Sequence, residues 1–269
     1  MKRVACTRMY DVTSEVRRHW HALLQAAARA AGVTVECIDH AAPAPLPELW
    51  AREDLALAFI CGFPLATGYP RLRPLAAPVT VLAEDELPTY RSAWLVRADS
   101  AFDTLASTFD HRIGWLALHS HSGFNAPRHA LLAHRTAARP RLFSESVGPL
   151  GHPGAALAAL AGRRIDVIAV DAYWWWLLQR HDARTASVFR AIGVTEDAPM
   201  PPLACSADFP ETLATRLVTA LVALHQDSAV RTHFGALGIR RFAAVRRTDY
   251  LRLEAIDREA REAGYPLPA

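Results

Sequence analysis

Short apolar runs alternate with amphipathic stretches along most of this chain. Arg3–Tyr10 (RVACTRMY) has strand-like character. Ser14–Gly32 places Val16, Trp20, Leu23, Ala27 and Ala31 on one helical face and ends at a glycine suited to a left-handed cap. VTVECID, LPELWARE and LALAFICG then follow as strand, short helix and strand. Such an order predicts a parallel sheet with helical crossovers.

Past the Pro-rich YPRLRPLAAPVTVL, Tyr90–Asp99 (YRSAWLVRAD) predicts a strand and the alternation restarts. AFDTLASTFDH reads as helix, RIGWLAL as strand, LHSHSGFNAPRHALL as a polar corner opening a helix, and PRLFSESV as the next segment. GHPGAALAALAGRR, IDVIAVD and AYWWWLLQRH continue as helix, strand and helix. Val188–Ser206 is rich in proline and reads as a connector, and the remainder is largely helical. The expected architecture is therefore α/β with two lobes, each a mainly parallel sheet flanked by helices. Residues 1–89 and 201–269 form lobe 1 and residues 90–200 lobe 2, with two hinge crossings near 90 and near 200.

Composition narrows the function. The 269 residues, 51% of them hydrophobic, suffice for one large or two modest cores. The net charge of +3 comes from scattered residues, which argues against a nucleic-acid partner. No stretch reaches the ~20 apolar residues of a membrane span. The basic start MKRVACTRMYDVTSE is interrupted by Arg8 and Asp11 before an apolar leader core accumulates, so the chain as written reads as unexported, while a trimmed or missed leader would make it periplasmic. Cys6, Cys37, Cys61 and Cys205 lack zinc-ligand spacing and read as buried free thiols. His119, His121, His129 and His134 mix strand end, loop and helix, so no metal is expected, and nothing calls for a cofactor.

The corner Ser120–Gly123 carries the candidate chemistry. In an open α/β sheet, ligands bind beyond the carboxyl ends of the strands, where helix N-termini offer unpaired amides and partial positive charge. Ser120, His121 and Ser122 add side-chain donors, and Gly123 admits close backbone approach; the same residues also suit a plain serine-capped helix. Other polar groups fall at strand ends or helix starts: Tyr10, the Cys61–Gly62 turn, His152, Asp171 and Tyr173. Tyr10 also fits a half-buried ring, and His152 and Asp171 fit helix caps.

The ordered set RMYDVTSEV, DLALAFICGFPL, YRSAWLVRADS, SHSGFNAPRHAL, GHPGAALAALAGRRIDVIAVDAYWW and GVTEDAPMPPLACS, with a late DYLRL, resembles the phosphate/phosphonate-binding family of ABC-type uptake systems. The resemblance spans nearly the whole chain. It implies a type II periplasmic-binding-protein fold and a non-enzymatic, monomeric binder that closes two lobes on a small oxyanion for an ABC permease. By position it implies ligand contacts from Ser120, His121, Ser122, Gly123 and His152 in lobe 2, and from Tyr10, Cys61 and Gly62 in lobe 1. Asp171 and Tyr173 fall at ligand or hinge positions, and Tyr90 and Ser92 at the first crossing. Met200–Ser206 lacks the acid with which amine-recognising members hold their ligand, which shifts the expectation to phosphate, phosphite or a simple phosphonate. The alternatives are a cytoplasmic enzyme of the same fold acting on a small carboxylate, and an intracellular oxyanion sensor.

Overall fold

The computed structural model describes residues 3–69 and 71–269. Met1 and Lys2, part of the basic start, and Pro70 of the Pro-rich stretch lie outside the described residues. The chain forms two compact units, Met1–Tyr90 with Pro199–Leu251 and Arg91–Ala198 with Arg252–Ala269.

Unit 1 begins β1 (Arg3–Cys6), α1 (Ser14–Ala31), β2 (Val35–Cys37), α2 (Leu46–Trp50), β3 (Leu55–Phe59), α3 (Gly62–Thr67) and β4 (Leu72–Thr80), and ends at the two-residue β5 (Thr89–Tyr90). Unit 2 continues with β6 (Ser92–Arg97), β7 (Arg112–Gly114), α4 (Ala126–Leu131), β8 (Glu145–Val147), α5 (Pro153–Ala161), β9 (Val167–Asp171), α6 (Ala172–His181), α7 (Ala183–Ala186) and β10 (Phe189–Val194). The chain changes unit within β11 (Ala198–Pro199), and unit 1 resumes with β12 (Leu203–Ser206), α8 (Glu211–Ala223), α9 (Arg231–Leu237) and β13 (Ile239–Ala244). Finally α10 (Arg252–Glu262) belongs to unit 2.

The sheet of unit 1 has the order β13-β4-β12-β3-β1-β2, and that of unit 2 β10-β6-β9-β7-β8. In each, three consecutive strands are parallel: β2, β1 and β3 in one, β8, β7 and β9 in the other. The first-formed strand of each trio lies in the middle, so the chain crosses to one side and then to the other. The remaining strands join antiparallel, which makes both sheets mixed.

Local chemistry accounts for most element ends. Thr13 caps α1 by accepting the Val16 amide at 3.2 Å, and Gly32 ends it at φ 68°, the left-handed conformation that an L side chain resists. Trp20, Tyr10 and Phe59 pack at the heart of unit 1, with Phe59 edge-on to both other rings at 4.8 Å. Two elements depart from the pattern. AFDTLASTFDH yields only a single 3-10 turn, Ala106–Thr108, because Thr104 and Ser107 bond each other's amides and Thr108 bonds the Leu105 carbonyl. The Pro-rich stretch and the connector supply β4, β10 and β12, strands whose prolines or glycine obscure the alternation.

The C-terminal helix corrects the predicted lobe boundary. Residues 201–269 are expected in lobe 1 with two crossings, yet α10 returns to unit 2 by a third crossing at Leu251/Arg252. Arg128, 1% exposed on α4, pairs with Asp257, and Asn125 Nδ2 donates to the Leu253 carbonyl at 2.9 Å. Tyr265 joins the core of Trp94, Ile113, Leu131 and Phe143, and the Leu142 amide donates to the Ala269 carbonyl. No local sequence signal encodes such a docking; a buried ion pair is visible only once both partners are placed.

Breaking that pair leaves Asp257 without its buried partner, so Arg128→Met is expected to lower stability by about 3 kcal/mol. Urea unfolding followed by tryptophan fluorescence reads this, and Asp257→Leu added to Arg128→Met should restore a large part of the loss.

Candidate functional site

Strand order locates the candidate site in each unit. Where a parallel sheet sends successive crossovers to opposite sides, a crevice opens at the carboxyl ends of the two strands that separate them. That point falls at β1/β3 in unit 1 and at β7/β9 in unit 2.

In unit 2 the loop after β7 enters a π-helical turn, His121–Asn125, that runs directly into α4. Such turns are rare in helices and cluster at functional positions. Ser120 sits at the N-cap, and its Oγ accepts the Gly123 amide at 3.0 Å. Leu116 ties the surroundings together: its amide donates to the Gly123 carbonyl at 3.0 Å and its carbonyl accepts the Gly151 amide at 2.8 Å. The Ser120–Gly123 turn and the loop bearing His152 are thereby held against the backbone of one residue. Gly123 serves that approach, because a Cβ there would strike the Leu116 side chain.

The individual residues of unit 2 take different parts. Ser122 is buried, and its hydroxyl makes no hydrogen bond among the described residues. His121 points its ring inward instead, 1% exposed, with Nδ1 at 3.3 Å from Asn125 Nδ2. Burial, with Arg252 and His129 nearby, lowers its pKa to about 3, so the ring is neutral at any physiological pH. It lines a cavity of about 360 Å³ shared with His129, Thr195, Asp197 and Arg252. His152 caps α5, its Nδ1 accepting the Ala155 amide at 3.3 Å, which assigns the ring proton to Nε2. Asp171 caps α6 by accepting the Tyr173 and Trp174 amides at 2.8 and 3.1 Å. Ser92 lies opposite Asp171 in the β6–β9 register, and its amide is held by Thr195 Oγ1 at 3.0 Å. Tyr173 is fully buried, its ring stacked on Trp176.

In unit 1 the chain turns after Cys6 and reaches the N-cap at Thr13. Tyr10 within this turn is 1% exposed, its ring packed on Trp20 and Phe59. Cys61 and Gly62, both buried, open α3 at the end of β3, and Tyr90 is buried at the end of β5. Two further residues lie in this turn, Asp11 and Arg8, the second of them inside the predicted strand Arg3–Tyr10 and beyond the observed β1. Asp11 accepts from Thr7 Oγ1 at 2.6 Å, and burial raises its carboxyl to a pKa of about 6. Arg8 is half-buried, with its Nε beyond the reach of solvent. Their signal in the sequence is their place immediately before the capped start of α1, which a shorter strand would have exposed.

Among the described residues no group of three or more His, Cys, Asp or Glu side chains is arranged to hold a metal. His129 is occupied by Glu259 at 2.8 Å, and His134 packs edge-on to Phe109. The four cysteines are free thiols, Cys37 half-buried and the others buried. No helix of the described residues is long and apolar enough to cross a membrane.

Two α/β units with this strand order share the type II periplasmic-binding-protein fold. The model of the family of periplasmic substrate-binding proteins of phosphonate ABC transporters matches residues 10–250, and the chain belongs to that family. The family is one of transporter components, not of enzymes; its members bind small ligands, work with permeases and are periplasmic. A binding-protein component of an ABC phosphonate transporter from Pseudomonas aeruginosa superposes with a TM-score of 0.79 at 14% identity, over 98% of this chain and 88% of that one. PhnD1 from Prochlorococcus marinus, in complex with methylphosphonate, superposes at 0.75 with 16% identity, over 97% and 98%. MatC from Rhodopseudomonas palustris, with bound malate, superposes at 0.58 with 15% identity, over 98% of each chain. By sequence, no curated protein matches the chain.

The raised Asp11 carboxyl gives a pH dependence with a definite sign. Folded Asp11 holds its proton up to a pKa of about 6, above the unfolded value near 3.8, so the folded form binds more protons between those values and stability falls as pH rises through them. Asp11→Asn is expected to melt higher than the parent at pH 8, with the gap closing below about pH 4. Thermal melts across that range test it; an unchanged gap would assign the effect to something other than ionisation.

Proposed function

We propose that this protein captures a small phosphorus oxyanion, phosphate, phosphite or a simple phosphonate, and delivers it to an ABC permease. It acts in the periplasm and as a monomer. The observation that carries the reading is the Ser120–Gly123 turn: a capped helix start with an uncommitted Ser122 hydroxyl, braced by Leu116 to the loop of His152. The amide of Ser122 opens the turn, where a helix has no acceptor of its own to offer it. With the Ser122 hydroxyl it forms a set of neutral donors, beside which Leu116 holds the loop of His152.

Neutral donors suit this task. A tetrahedral oxyanion taken out of water requires several hydrogen bonds, and bonds to a charged acceptor are about twice as strong as neutral ones. Orientation of these donors is already fixed by the caps and by the Leu116 peptide, so little ordering remains to be done on binding. Asp171 spends one oxygen on two amides and is thereby directed toward the α6 start, which limits its repulsion of an anion. The methylphosphonate held by the Prochlorococcus relative supports the same ligand class here.

Ser122→Ala is expected to weaken binding by about 1–3 kcal/mol without loss of stability. Ser120→Ala should weaken binding and also cost about 1 kcal/mol of stability through the lost cap. Titration calorimetry with methylphosphonate, phosphate and phosphite, paired with thermal melts, reads both. Heat from none of the three would overturn the reading, and heat from malate alone would replace it with a carboxylate binder.

A further inference from the structure

The Ser120–Gly123 turn is seated on a buried polar network within unit 2. Asn125, 0% exposed, closes the turn through its backbone, donating its amide to the Ser120 carbonyl at 3.0 Å, five residues back. The next amide, that of Ala126, repeats the spacing to the His121 carbonyl. These two bonds make the turn π-helical, and the Asn125 side chain ties it to the rest of the unit. Its Nδ2 donates to the Leu253 carbonyl of α10 at 2.9 Å and lies 3.3 Å from His121 Nδ1, while its Oδ1 accepts from Arg128 at 3.3 Å. A carbonyl can only accept, so the Leu253 contact fixes which end of the amide is nitrogen, and His121 Nδ1 accepts its second N–H. Arg128 is answered in turn by Asp257 of α10 and by the Pro266 carbonyl at 3.2 Å.

Asn125 thus joins the Ser120 carbonyl, the His121 ring and a helix 128 residues further along the chain. Leaving any of these buried groups without its partner costs free energy, so the network holds its members in one arrangement. The serines have no such anchor of their own. Ser120 Oγ accepts from Gly123 inside the turn, and the Ser122 hydroxyl makes no hydrogen bond among the described residues. Their directions follow from the two places where the turn is held, by Leu116 at Gly123 and by Asn125 at Ser120.

We propose that Asn125 is a positioning residue for oxyanion binding, through which α10 sets the direction of the Ser120 and Ser122 donors. This rests on the phosphorus-oxyanion reading and adds to it a residue that acts through the turn and not by touching the ligand. The C-terminal helix thereby belongs to the binding machinery of unit 2 as well as to its core.

The test is titration calorimetry of the full chain with methylphosphonate, phosphate and phosphite, repeated on Asn125→Leu and Asn125→Asp with a thermal melt and amide hydrogen exchange of each. Leucine removes the centre of the network, whereas aspartate keeps the shape and the acceptor for Arg128 but sets a lone pair against the Leu253 carbonyl. Tyr265→Phe is the control, because it takes two hydrogen bonds with Ala269 from the same C-terminal segment and leaves the network intact. Both Asn125 variants are expected to bind about tenfold more weakly and to exchange faster at amides 121–125, while Tyr265→Phe melts lower and binds as the parent does. In a Ser122→Ala background, Asn125→Leu should cost less affinity than in the parent, because one of the donors it positions is already gone. Asn125 variants that bind as the parent does overturn the proposal and leave the oxyanion reading standing. So does an equal loss in the Asn125 variants and Tyr265→Phe, which marks a general loosening, or an equal cost of Asn125→Leu with and without Ser122. No heat from the parent with any of the three ligands overturns the reading and the proposal together.

Discussion

The backbone of one residue, Leu116, organises the candidate site of unit 2. Its amide is given to Gly123 and its carbonyl to Gly151, so the serine turn and the histidine loop cannot move apart without breaking a backbone hydrogen bond. Both loops exist because parallel strands need crossovers, and crossovers from a central strand to opposite sides leave helix starts gathered at one sheet edge. The polar residues found there are committed first to the backbone: Ser120, His152 and Asp171 each cap a helix. Capping and ligand recognition draw on the same chemistry, an oxygen or nitrogen held beside unpaired amides. The side chains that cap also fix the directions in which the remaining donors point.

Charge is distributed unequally between the units. The Ser122 donors at the unit 2 switch point are neutral, and the turn's own histidine, His121, is kept neutral by burial. The unit 1 turn holds Arg8, Asp11 and a thiol within six residues of one another.

Much of the fold is legible in the residues themselves. Val16, Trp20, Leu23 and Ala27 mark α1, Gly32 ends it, and AYWWWLLQRH is α6 to the residue. The caps at His152 and Asp171 are equally legible, since Asp before a helical run and a turn before Pro153 are local signals. What escaped local reading depends on distant partners. β4 hides behind Pro74 and Pro78, β10 behind the irregular register around Gly193, and α10 is drawn to unit 2 by Asp257 meeting a buried arginine far away in sequence. The sequence leaves open which way the rings of Tyr10 and His121 face, because at a strand end that follows from packing no local pattern records, and both rings here face inward.

The prolines of β4 have a consequence for how the protein is made. In the finished sheet β4 is an interior strand between β12 and β13, an unusual place for two residues that donate no ladder bond. Both of its neighbours are encoded more than a hundred residues later, at Leu203–Ser206 and Ile239–Ala244. While the chain is emerging from the ribosome, β4 is therefore a bare margin, and a bare margin recruits other chains. Pro74 and Pro78 deprive it of donors during that interval, which guards nascent copies against cross-chain pairing until the true partners are synthesised.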